Sequence, residues 1–415
     1  MKNKILSTFV SLILFIFAFN FVPEETFSKA KNPVHESDVI VVSNPKDPIY
    51  KNGLKMRIVF EEDLSIGEVE GDENYMFGGN IFFNTDEDGN FYVTDFDNKR
   101  IQKYDPEGKY LHTLGRAGQG PGEFQSLSVP RFDKENNLYV TDGINRRISF
   151  FNRKGDFLRQ IPLKERYDNL YINSKGFFVA NKWTLTQEGG ASRQTSLYGL
   201  FDDKFNAVAE LFKDEFKSPM LSGFDESSIV NFYAGLLSMT AFKPYVRYTL
   251  SSDDYIYFGY PEKYEINIYS PEGKLAKKII RDFDPFPVKE KDKKSFVEFA
   301  EEGLSSPVLS EEIKKKAFAK IKYPKYKPAY QSFTLMENGW LAVIVDSVEK
   351  EYTLFDIFDQ EGKYIANFKT STPAERMFSE FLFFKNGKAY AVVTENDYKF
   401  VKRYKFKTQE YKDKK

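Results

Sequence analysis

The chain has 415 residues, a net charge of -1, 42 phenylalanines, 26 tyrosines and no cysteine. The lack of cysteine excludes disulfides, thiolate-held zinc or iron–sulfur centres, thiol catalysis and an acylated N-terminal cysteine, so packing must hold the fold. Two histidines, His35 and His112, cannot build a multi-histidine metal centre in one chain, and the near-neutral charge argues against a nucleic-acid binder, which needs a clustered positive field.

The N-terminus reads as a signal peptide. Lys2 and Lys4 precede the uncharged apolar run Ile5–Val22, and Ser28-Lys29-Ala30 puts small residues where a signal peptidase cuts, so cleavage is expected after Ala30. The run also approaches the length of a membrane span, which leaves an uncleaved anchor as the alternative and the only expected membrane contact. Either way the protein is expected to be exported, to the periplasm or beyond. Residues 31–54 read as a linker, and Lys55–Leu64 as a strand ahead of the first repeat.

The repeat is the strongest signal. Asp88-Gly89-Asn90-Phe91-Tyr92-Val93-Thr94-Asp95 returns as Glu135-Asn136-Asn137-Leu138-Tyr139-Val140-Thr141-Asp142. Asn98-Lys99-Arg100-Ile101 returns as Asn145-Arg146-Arg147-Ile148, and Pro106-Glu107-Gly108 as Arg153-Lys154-Gly155, all at one offset of 47 residues. A period of that size, made of short β-branched and aromatic runs between turn residues, marks propeller blades of four-stranded meanders. Weaker copies begin at Ser174-Lys175-Gly176, Ser252-Asp253-Asp254, Met336-Glu337-Asn338-Gly339 and Lys385-Asn386-Gly387, giving six units over 55–410 and a charged tail at 411–415. The fold class is therefore all-β, a six-bladed propeller, with Lys55–Leu64 closing the ring against the last blade so that no sheet edge stays open.

Two segments break the pattern. Trp183–Thr195, with Gly189-Gly190, reads as a long loop. Pro285–Tyr323 reads as a helical insertion between blades four and five: Ser310 caps a helix with Glu311 and Glu312 in its first turn and Lys314–Lys316 further on, and a second helix covers Lys289–Glu302. Ile313, Ala317, Phe318 and Ile321 share one face, expected to pack against the propeller wall.

The string Tyr-Val-Thr-Asp-x-x-Asn-x-Arg-Ile at 92–101 and 139–148 resembles the NHL repeat, and with Gly115–Phe124 the longer pattern is similar to the bacterial exported six-bladed β-propeller family. Units three to six lack the Asn-x-Arg-Ile signature. The resemblance implies a scaffold shared by recognition modules, lactonases and a lyase acting on C-terminal hydroxyglycine peptides. The lyases use a histidine-rich metal centre that two histidines cannot supply. The lactonase-like families hold a divalent cation with Glu, Asn and Asp in the central channel.

Successive turns of a meander alternate between the two ends of a blade. The Asp-Gly-Asn and Pro-Glu-Gly turns therefore share one face, and Asp95–Asn98, Asp142–Asn145 and Gly115–Phe124 share the other, the loop face. Candidate binding residues there are Asp95, Asn98, Arg100, Arg116, Gln119, Asp142, Asn145 and Arg147. Their recurrence at matching blade positions equally fits hydrogen bonds that hold each loop to its neighbour. Gly115–Gly122 lacks the lysine and helix of a phosphate loop, and Asp86–Asn90 lacks the distal glutamate of a calcium loop. Trp183 and Trp340 fit ring stacking or plain packing.

No catalytic set emerges. The expected function is a non-catalytic binding or scaffold propeller that recognises a protein, peptide or glycan of the envelope or exterior through the loop face, without a cofactor and without nucleic acid. The alternative is a hydrolase or lactonase assisted by calcium or another divalent cation held by Asp, Glu and Asn in the channel, a ligand set that suits a hard ion.

Overall fold

The computed structural model describes residues 39–49, 55–188, 191–217, 219, 221–303, 309–345, 354–369 and 382–411. The expected signal segment, His35 and residues 412–415 lie outside them.

Six antiparallel sheets of four strands form the blades, with strands at 81–114, 131–162, 166–217, 247–281 and 332–369, and a sixth blade assembled from both ends of the chain. In each of the first five blades the strands follow chain order from the inner to the outer edge. In blade six the outer strand is Lys55–Ile66, antiparallel to Tyr398–Tyr411, in register from Lys55 opposite Tyr411 to Ile66 opposite Val401. This is the expected closure. Asp63 fastens it by accepting from Arg403 at 2.8 Å and Lys388 at 2.7 Å.

One local device makes the tight turns. Asp86 accepts hydrogen bonds from the backbone N–H of Asp88 and Asn90, and Asp133, Asn152, Asn173 and Asp202 do the same two and four residues on. The fourth turn residue then takes a positive φ, as in Gly89 (85°), Asn136 (61°) and Gly155 (93°), which glycine and asparagine tolerate. Asp86–Asn90 is thus a hairpin turn. Among the described residues, every hairpin turn on this face is five residues or fewer.

The core lies between blades. Phe91, Val93 and Tyr104 of blade one pack with Tyr390 and Val401 of blade six, and Tyr92, Ile101 and Leu114 with Leu138, Val140 and Phe151 of blade two. Each such large side chain contributes about 1.5–3 kcal/mol by leaving water. Because both sheet faces are covered, the second strand of blade one, Phe91–Asp95, is buried throughout, without alternation.

The insertions follow the expected plan in part. Helices α2 (Glu290–Gly303) and α3 (Glu311–Ala319, capped by Ser310) lie between blades four and five. A further helix, α1 (Glu226–Thr240), capped by Asp225, lies between blades three and four, where the sequence gives no expectation. The apolar face of α3 meets α1: Ala317, Ile313 and Phe318 pack with Phe232, Tyr233 and Ala234. A ring triad of Phe242, Phe296 and Tyr323 ties in α2. The three helices therefore make one cap.

Two readings are corrected. Trp183–Thr195 is no loop: its described residues lie in Phe178–Glu188 and Ala191–Phe201, which pair without a break from Phe178–Phe201 to Glu188–Ala191 as two long strands of blade three. The linker assigned to 31–54 contains a strand, Ile40–Asn44, which runs parallel to Leu275–Arg281 as a fifth strand on blade four. Buried Asn44 fixes it, donating to Gly362 O at 2.9 Å and accepting from Tyr364 N at 2.7 Å.

Candidate functional site

Strand direction assigns the ends of the molecule. The described segments 67–80, 115–130, 221–246, 282–303 and 309–331 lie between an outer strand and the next inner strand, so they and their three helices share the loop face with the far ends of Phe178–Glu188 and Ala191–Phe201. Ile144, Leu185, Phe224 and Phe299 stand out from it, 53%, 63%, 84% and 71% exposed.

The eight sequence candidates divide into two groups. Asp95 is fully buried and accepts from Gly78 N, Asn98 N, the Asn98 amide and Arg100 Nε, while Arg100 also donates to the carbonyls of Glu73 and Met76. Asp142, also fully buried, accepts from the backbone N–H of Gln125, Ser126, Ile144 and Asn145 and from the Asn145 amide. Asn145 donates on to Gly118 O, and Arg147 donates to the carbonyls of Gln119, Gly120 and Glu123. These six residues lash the loop between the second and third strands of blades one and two to the connection beside it. Arg116 and Gln119 have exposed side chains; Arg116 pairs with Glu123 at 2.8 Å, and the acid is held below its usual range by the Gly120 N–H and then by Arg116.

A second set of polar groups lies at the loop-face end of the seam between blades three and four. Cross-strand partners of a sheet project to the same face, about 5 Å apart. Register places Arg166, Trp183, Ser196 and Asp214 in one such row across all four strands of blade three, Asn181 beside Tyr198 in the next row inward, and Gln194 in the next row outward. This face meets blade four through Tyr198 with Tyr248 and Phe258, and Phe212 with Tyr260. Asn181, Gln194, Ser196 and Asp214 are 1%, 1%, 0% and 7% exposed, yet both amide atoms of Asn181, Gln194 Nε2, Ser196 Oγ, Asp214 Oδ2 and the indole Nε1 of Trp183 have no hydrogen-bond partner among the described residues. A buried polar group left unmade costs about 1–3 kcal/mol, so a concentration of them is unusual for packing alone. Burial, with Glu215 adding repulsion, pushes the Asp214 carboxyl up to about 6.

Sequence alone does not disclose this row, because Trp183–Thr195 reads as a loop. A local signal is present nonetheless: Trp183, Leu185, Gln194 and Ser196 alternate with threonines and charges on either side of a Gly-Gly pair, which marks a hairpin.

Among the described residues no three His, Asp or Glu side chains converge closely enough to hold a metal ion. No helix among them is long and apolar enough to cross a membrane.

Six four-stranded blades, closed by a strand from the N-terminal end, define a six-bladed β-propeller. The chain belongs to the family described as 6-bladed beta-propeller, whose pattern matches residues 79–373. No functionally curated protein matches it. Among solved structures it is similar to one described as an exported protein from Bacteroides fragilis, at 11% identity and TM-score 0.52, over 90% of this chain and 100% of that one. A duf4221 family member from Bacteroides vulgatus is similar at 10% identity and TM-score 0.46, over 86% and 99%. A gluconolactonase from Xanthomonas campestris is similar at 10% identity and TM-score 0.37, over 78% and 86%. Identities this low speak for the fold alone.

Proposed function

We propose that this chain is an exported, NHL-like binding propeller that grips a partner outside the cytoplasmic membrane through its loop face, without catalysis of its own. The observation that carries the reading is an asymmetry among the described residues: hairpin turns of five residues or fewer at one end of the blades, and the longer blade-to-blade connections with the three described helices at the other. Binding functions collect on loops held by a rigid scaffold. Exposed Phe224, Phe299, Ile144 and Leu185 favour a protein or peptide over a glycan, since apolar anchors dominate such interfaces. Arg116 and Gln119 supply polar contacts at the rim; the other six sequence candidates serve by fixing loop shape.

The test is capture of cross-linked partners from envelope extract by the mature protein, followed by binding of the identified partner in purified form. Phe224→Asp with Phe299→Asp is expected to weaken that binding at least about tenfold, one anchor being worth more than about 1 kcal/mol, with an unchanged melting point. Undiminished binding by the double variant sinks the loop-face reading. So does turnover that depends on a channel carboxylate.

A further inference from the structure

We propose that the seam between blades three and four holds a binding site for a small neutral polyhydroxyl ligand, a sugar or polyol, recognised by Asn181, Trp183, Gln194, Ser196 and Asp214. The site is separate from the exposed anchors Phe224 and Phe299 and goes beyond the loop-face reading.

The argument runs from the chemistry of the unpartnered atoms. Three strands of blade three present, on one face, donors from the Asn181 and Gln194 amides and the Trp183 indole, acceptors at Asn181 Oδ1 and Asp214 Oδ2, and a Ser196 hydroxyl that serves both ways. An anion is disfavoured by the Asp214 carboxylate. A metal ion is disfavoured by the excess of N–H donors, which repel it. A hydroxyl both donates and accepts, so a run of hydroxyls can satisfy a mixed set that neither ion could. Tyr198 and Phe212 stand in the next row on the same face, packed on one another and on blade four, so the polar row is bordered by apolar rings.

Trp183 gives a direct readout, because Trp340 is the only other tryptophan. In a mature Trp340→Phe protein, titration with glycerol, D-glucose and D-galactose is expected to give a saturable shift of Trp183 emission as its indole N–H gains a partner. Ser196→Ala and Asn181→Ala should each weaken the response about tenfold, the loss of one or two hydrogen bonds. Melting curves confirm that each variant is folded, and Gln194→Ala provides a third variant should either fail. A response confined to glucose or galactose identifies a sugar site, and one shared with glycerol a general polyol site; both support the proposal. No shift with any of the three, together with a high-resolution crystal structure showing only ordered water on these atoms, overturns it. Phe224 and Phe299 lie outside the row, so loss of partner binding in their double variant with the sugar response intact, or the reverse, tells which of the two readings has failed.

Discussion

Asp142 shows how much of this fold one side chain can organise. Its carboxylate is fully buried and gathers four backbone N–H groups and the Asn145 amide. Removing it strands those donors, and hydrogen bonds to a charged group are worth about 1.5–3 kcal/mol each. Asp142→Ala is therefore expected to lower stability by at least about 3 kcal/mol, read by urea unfolding; a loss below 1 kcal/mol means that the loop does not depend on this hub. Asp214 works in the opposite sense. Its folded-state pKa of about 6 lies above the ordinary 3.8, so between these values the folded protein keeps a proton that the unfolded chain releases. Stability therefore falls as pH rises through that window, by up to about 3 kcal/mol once the carboxyl is charged. Asp214→Asn should recover that loss at pH 7.5 and change little at pH 3.5, as thermal melts at the two pH values would show. Equal effects at both mean that the carboxyl is not held neutral by burial.

At the level of elements, legibility followed the range of the interaction that makes each one. The turns were readable because Asp86 or Asn152 bonds its own backbone two and four residues on, all within one short window. Helix α3 was readable for the same reason, from Ser310 at its cap to Ala317 on its apolar face. Helix α1 carries Gly235 and a nearly uniform apolar surface rather than a stripe, so its burial against α3 leaves a weak periodic trace. The strand Ile40–Asn44 was not legible at all. Its partner begins 235 residues later, and five residues carry no mark of a parallel neighbour. What secures it is Asn44, bonded to Ile280 O in blade four and to Gly362 and Tyr364 at the edge of blade five. Beside it Arg281 donates to buried Asp356 at 2.9 Å and to Lys46 O at 2.7 Å, and the phenols of Tyr264 and Tyr364 donate to the same carboxylate. The strand is thus a strap across two blades. Asn44→Ala is expected to cost about 2–3 kcal/mol and to raise amide exchange in 40–49 well before global unfolding. Exchange confined to the global transition means that the strap is an integral part of the core.

For the molecule as a whole, the ring is only as strong as its closure. Six blades pack each against two neighbours, so the benefit of the circle depends on blade six, whose outer strand comes from the other end of the chain. Lys55–Ile66 contributes Ile66, 1% exposed, and Asp63, which pairs with both Arg403 and Lys388. Stripping one partner from such a cluster costs about 3–5 kcal/mol, and losing the buried isoleucine adds about 1.5–3. A domain is stable by only about 5–15 kcal/mol in total. The same deletion would also bare the edge of Tyr398–Tyr411, a long strand whose open N–H and C=O groups would template aggregation. A chain starting after Ile66 is therefore expected to lose its cooperative melt and to aggregate. A synthetic 55–66 peptide added in trans should restore part of the transition in a concentration-dependent way, because it binds only the folded ring. A truncated chain that melts cooperatively without the peptide would show that the remaining blades close on their own, and the Asp63 cluster would then be a surface feature rather than the clasp of the ring.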